Sequence, residues 1–174
     1  MHFVFNGLFL VAAIKWGNWK NWGEYYPTIL FFIAGDLLQN FLLYNHSKWT
    51  FKETIFAEQI LSNHTIISLM IMLIVYPSTV LIYLGRFPQE RTKQIGWFLF
   101  WVAIYSVVEL INLRYLHLIE HHNGWSLGWS ILFNVTMFFI LRVHHKTPPL
   151  AWILSLIWIV FLWTSFDIPF KELK

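Results

Sequence analysis

The feature that most constrains this chain is its series of long stretches almost free of charge. "YYPTILFFIAGDLLQNFLLY", Tyr25 to Tyr44, is followed by four comparable runs, each holding two charged side chains at most. A helix crosses a hydrocarbon core in roughly 17–25 apolar residues, and these runs fit that length. Composition agrees: 57% of the residues are hydrophobic and 12% charged, half the quarter or so that a soluble domain carries. The expected fold is an all-α, polytopic transmembrane helix bundle. It should occupy residues 1–174 as a single transmembrane domain, with no soluble domain.

Five spans can be placed. They run over about Tyr25–Tyr44, His64–Leu84, Gln94–Leu118 and Trp125–Val143, then from the Thr147–Pro149 segment to Phe166. Pro27 is placed to start the first, and the Pro pair suits the first turn of the last. Pro77 falls inside the second and predicts a kink, helped by Ser78 and Thr79. The N-terminal segment His2–Ile14 is apolar but short, and it reads poorly as a cleaved leader. Extended through Trp16 and Trp19, with Lys15 reaching to the headgroups, it predicts a sixth spanning helix.

With six spans both termini share one side. Lys15, Lys20, Arg86, Arg91, Lys93, Arg142 and Lys146 then lie on one face, against Lys48, Lys52, Arg114, Lys171 and Lys174 on the other. The larger group is expected on the cytoplasmic side, with both termini outside. Most of the eleven Trp flank the spans, as aromatic belts do. The longest loop, residues 45–63, contains "KWTFKETIFAEQI", amphipathic enough for a short surface helix.

The residues hardest to explain as packing are Asp36 and Glu109, acids near the middle of their spans. At that depth a charge costs several kcal/mol unless it is paired, neutralised or facing a polar cavity. Helical spacing sets Gln39 and Asn40 beside Asp36, and Tyr105 and Asn112 beside Glu109. Asn134 comes to the same level in the fourth span. The candidate ligand-binding site is therefore a polar layer of Asp36, Gln39, Asn40, Glu109, Asn112 and Asn134. The competing reading makes these side chains interhelical glue.

"YLHLIEHHNGW", Tyr115 to Trp125, contains H-x-x-E-H at His117, Glu120 and His121, a spacing that some zinc peptidases use. On a helix His117 and His121 would share a face, but Arg114 would share it too and repel a divalent cation. The stretch reads as the solvated end of the third span, closed by Asn123-Gly124. His144 and His145 read similarly, as a basic helix end. The chain has no cysteine, hence no disulfide and no thiolate metal site. It has no Gly-rich phosphate loop or nucleophile motif either. No catalytic residue, metal or cofactor is expected.

The segments "WGEYYPTILFFIAGDLL", "VYPSTVLIYLGRFP" and "HHNGWSLGWSILFNVTMFFILRVHHKTPPLAW", with the central Glu109 and the Trp-rich lead, carry a resemblance. Over residues 16–166 the chain resembles the small multipass membrane proteins of endospore-forming Gram-positive bacteria, a family of unknown function. The resemblance implies a plasma-membrane or spore-membrane location and a sporulation role, and assigns no ligand or site residue. The leading functional expectation is a non-enzymatic protein that binds a small molecule, lipid, ion or partner through the polar layer. A proton- or cation-coupled transporter or channel is the alternative, and a membrane enzyme with paired carboxylates comes third. Expected partners are the lipid bilayer, a small-molecule or lipid ligand and a second copy of the chain, but not nucleic acid.

Overall fold

The computed structural model describes residues 2–52 and 64–169. Among them are six α-helices: α1 His2–Trp16, α2 Trp22–Leu42, α3 His64–Tyr83, α4 Arg91–Arg114, α5 Leu127–Lys146 and α6 Pro148–Ser165. A two-stranded antiparallel sheet joins β1, Trp49–Phe51, to β2, Ile119–His121. Four of the helices, α3 to α6, are long and apolar enough to cross a membrane, so the fold fits a multi-pass membrane protein. α1 is apolar but has only 15 residues. α2 has 21, and Glu24, Asp36, Gln39 and Asn40 lower its hydropathy.

Helix α1 carries Val4, Leu8 and Val11 on an exposed stripe and turns Ala13 into the core against α3. It ends where Gly17 N and the Trp19 indole both donate to the Ala13 carbonyl, each at 2.7 Å. A single 3₁₀ turn, Trp19–Asn21, then leads directly into α2. That helix begins at Trp22, before the expected Tyr25, so Pro27 lies inside it rather than at its start. The early turn is held from outside: Asn18 donates to the Tyr25 hydroxyl at 3.0 Å, Tyr25 stacks on His145, and Trp22 packs on Tyr26. Only the Pro27 N–H is missing from the ladder.

The helix ends sort into two layers. At the basic end Arg86 Nε donates to the Trp16 carbonyl at 2.6 Å, the Arg142 guanidinium lies 4.0 Å from the centre of the Phe87 ring, and His145 pairs with Glu24 at 3.4 Å. At the opposite end the sheet forms a cap. Trp49, Trp125, Trp129 and Phe166 cluster there, and the Lys48 ammonium sits 3.8 Å from the centre of the Phe166 ring. α2 packs on α3 and α5, while α5 also receives α4 and α6. Tyr83 and Phe138, both fully buried, form the centre of the core with Trp101.

Two expectations are corrected in the cap. α4 stops at Arg114 instead of continuing to Leu118, because His117 adopts a left-handed backbone (φ 52°) and the chain turns into β2. Residues 49–51 of the expected surface helix form β1, since Trp49 and Phe51 gain ladder bonds and an apolar face by pairing with β2. The remainder of that expected helix, residues 53–60, lies outside the described residues, as do Lys171 and Lys174.

Candidate intramembrane binding site

Asp36 lies on α2 about 9 Å below the capped end, Glu109 on α4 about 8 Å below it, and Asn134 on α5 about 10 Å below it, taking ~1.5 Å per residue. The three therefore come within one helical turn of each other in depth. A cavity of about 340 Å³ runs between the helices at this level, with walls from all six. Asp36, Gln39, Glu109, Asn112 and Asn134 all line it. Asn40 does not: with Gln39 it faces a second space of about 200 Å³ between α2, α3 and β1.

Each acid is held by groups from other elements. Tyr76, on α3, donates to Asp36 Oδ2 at 2.8 Å, its ring stacked on Phe32 at 3.8 Å; Asn40 Nδ2 donates to Oδ1 at 3.2 Å. Glu109 Oε1 accepts from the Ser130 hydroxyl on α5 and meets His121 Nε2 from β2 at 2.9 Å. Trp125 Nε1 in turn donates to Ser130 Oγ at 2.8 Å. Glu109 thereby ties together α4, α5 and the cap. Its Oε2 has no hydrogen-bond partner among the described residues.

The neighbours expected for Glu109 are otherwise engaged. The Tyr105 hydroxyl pairs with Thr79 at 2.7 Å, and Asn112 Nδ2 donates to the Val108 carbonyl of its own helix at 2.7 Å. Asn134 Nδ2 donates to Ser106 Oγ at 3.2 Å. The Gln39 amide has no hydrogen-bond partner among the described residues, although it borders both spaces. Tyr76, Ser130, His121 and Trp125 were not foreseen in the site. Tyr76 and Ser130 had a signal, being polar groups inside apolar runs; His121 had none, because a distant strand pairing brings it in.

The H-x-x-E-H stretch is not helical. In β2 successive side chains point to opposite faces, so His121 turns inward to Glu109 while Glu120 turns outward to Lys52 at 3.0 Å. His117 sits apart, beyond the end of α4. His121 is therefore a half-buried structural partner of Glu109 rather than a solvated cap. His144 also departs from the bland reading: it is buried, stacked on Phe31 with ring centres 4.2 Å apart, and hydrogen-bonded to Thr28 at 2.9 Å. Among the described residues no three His, Asp or Glu side chains converge to hold a metal ion.

Asn6, Thr136 and Ser155 also border the cavity, and the rest of its walls are mostly apolar, with Phe9, Phe32, Val75, Phe133, Ile140 and Trp158 prominent. Among the described residues no Lys, Arg or His contributes to the lining. A concave, mostly apolar chamber with a few convergent polar groups is the common form of a small-molecule site. The chain matches no protein-family model, no curated protein and no solved structure.

Proposed function

We propose that this chain is a six-span protein of the cell membrane that binds a small apolar molecule or lipid around the Asp36–Glu109 layer. The observation that carries this reading is the single cavity bordered by both acids, five of the six candidate polar residues and all six helices. Counting α2 as a span is supported by its outer face, where Leu30, Leu37 and Phe41 are exposed while Thr28 is buried and Asp36, Gln39 and Asn40 are half-buried. α1 reaches about 22 Å at 1.5 Å per residue, and Trp16 and Trp19 extend it toward the headgroups. The basic end is then cytoplasmic. Toward that end the cavity meets the stack of Phe31 on His144 and the Tyr83–Phe138 core, which favours binding over conduction.

The test is to purify the wild-type chain and the Asp36→Asn/Glu109→Gln variant in mild detergent and extract whatever accompanies them. The wild type is expected to retain a small organic molecule at close to one per chain. A folded double variant should lose it. Retention by the variant, or no accompanying molecule in the wild type, refutes the reading.

A further inference from the structure

The cavity has a side opening. α2 and α6 both pack on α5 and touch each other at Phe31 and Trp152, ring centres 4.8 Å apart, near the basic end. Toward the cap, Gly35 and Leu38 of α2 and Leu156 of α6 line the cavity and are also exposed. Residues that do both form a rim. A side chain at Gly35 would meet nothing within 4 Å, and a mid-helix glycine costs about 1 kcal/mol relative to alanine. No close packing or left-handed backbone demands it there. The missing side chain leaves the gap between α2 and α6 unobstructed at hydrocarbon depth.

Among the described residues, aromatic pairs lie across both ends of the bundle. Trp49 and Trp125 pack at 5.3 Å across the capped end, and Phe31 and His144 stack at the basic end. A ligand dissolved in the bilayer therefore has a shorter route than one arriving from water. Its head can be argued from the lining. Among the described residues the lining holds two carboxylates and no Lys, Arg or His, and His121 is already engaged by Glu109, so a phosphate or carboxylate head would be buried without a counter-charge. Glu109 Oε2 and the Gln39 side-chain oxygen are acceptors without donors among the described residues. A volume of about 340 Å³ is at the low end of the ~300–1,000 Å³ typical of ligand cavities, which suits one hydrocarbon chain rather than two.

From these observations we infer that the cavity takes a single-chain amphiphile, entering sideways between α2 and α6, whose hydroxyl or amine head reaches Asp36 and Glu109. The inference rests on the binding reading above and adds the route and the ligand class.

Three probes with the same photoreactive group in mid-chain, ending in a hydroxyl, an amine or a carboxylate, are equilibrated with the protein in phosphatidylcholine nanodiscs. Crosslinked peptides are then mapped. The hydroxyl and amine probes should label cavity residues of α2 and α6 about tenfold more than the carboxylate probe, a difference of about 1.4 kcal/mol. Gly35→Leu, whose Cβ would meet nothing within 4 Å, should cut that labelling about tenfold without lowering the melting temperature. Equal cavity labelling by all three probes overturns the head-group assignment and leaves the binding reading standing. Undiminished labelling in Gly35→Leu overturns the side entry. Cavity labelling by none of the probes removes the binding reading itself.

Discussion

Glu109 and His121 lie twelve residues apart on different elements, and their contact is the main tie between α4 and the cap. A double-mutant cycle with Glu109→Gln and His121→Gln measures it. Their side chains are 20% and 10% exposed, and Nε2 lies 2.9 Å from Oε1. A hydrogen bond to a charged group contributes about 1.5–3 kcal/mol in soluble proteins, whereas polar contacts in membrane bundles average about 0.6 and reach about 1.7 kcal/mol. The low exposure and short distance put this pair toward the upper end, at about 1–1.5 kcal/mol of coupling. At roughly 2–4 °C per kcal/mol for a chain of this size, the double variant should melt some ~2–6 °C higher than the two single shifts would sum to. Tryptophan emission in micelles is a suitable readout, because Trp125 is bonded to Ser130 in the same network. Shifts that add within about 0.3–0.5 kcal/mol, as those of independent sites do, would refute the claim that this contact joins the cap to the bundle.

Two further outcomes are expected. Phe138→Ala removes a fully buried ring wedged among Tyr83, Trp101 and Tyr105, and should cost about 3–5 kcal/mol in denaturant or thermal unfolding. Thr28→Val deletes the bond to His144 and should cost about 1 kcal/mol; His144→Ala, which also loses the stack on Phe31, should melt lower than Thr28→Val in the same assay.

Legibility in the sequence followed how local each feature is. The expected end of the second span at Leu84 falls one residue beyond the end of α3 at Tyr83, because the apolar run stops at Gly85-Arg86. The end of α4 was not legible: Leu116 and Leu118 continue the apolar pattern, and the left-handed turn at His117 into the strand pairing of β2 with β1 is not visible in it. Asp36 and Glu109 stood out because a carboxylate in an apolar run needs a reason to be there. What holds each one, Tyr76 in the first case and Ser130 with His121 in the second, depends on how helices are arranged around one another. Periodicity within one helix says nothing about that. The same limit applies to Asn40: its spacing places it next to Asp36, to which it donates, but could not say that it borders the second space rather than the first.

The strand pairing also bears on the order of events at the ribosome. Trp49 leaves the exit tunnel about 70 residues ahead of its partner His121, an interval of several seconds at ~5–20 residues per second. Throughout that time β1 has no edge to join. The roof over the helices is thus completed late in synthesis, after α4 has entered the bilayer. A nascent chain stalled before β2 would present Trp49 and Phe51 to chaperones, proteases or other nascent chains.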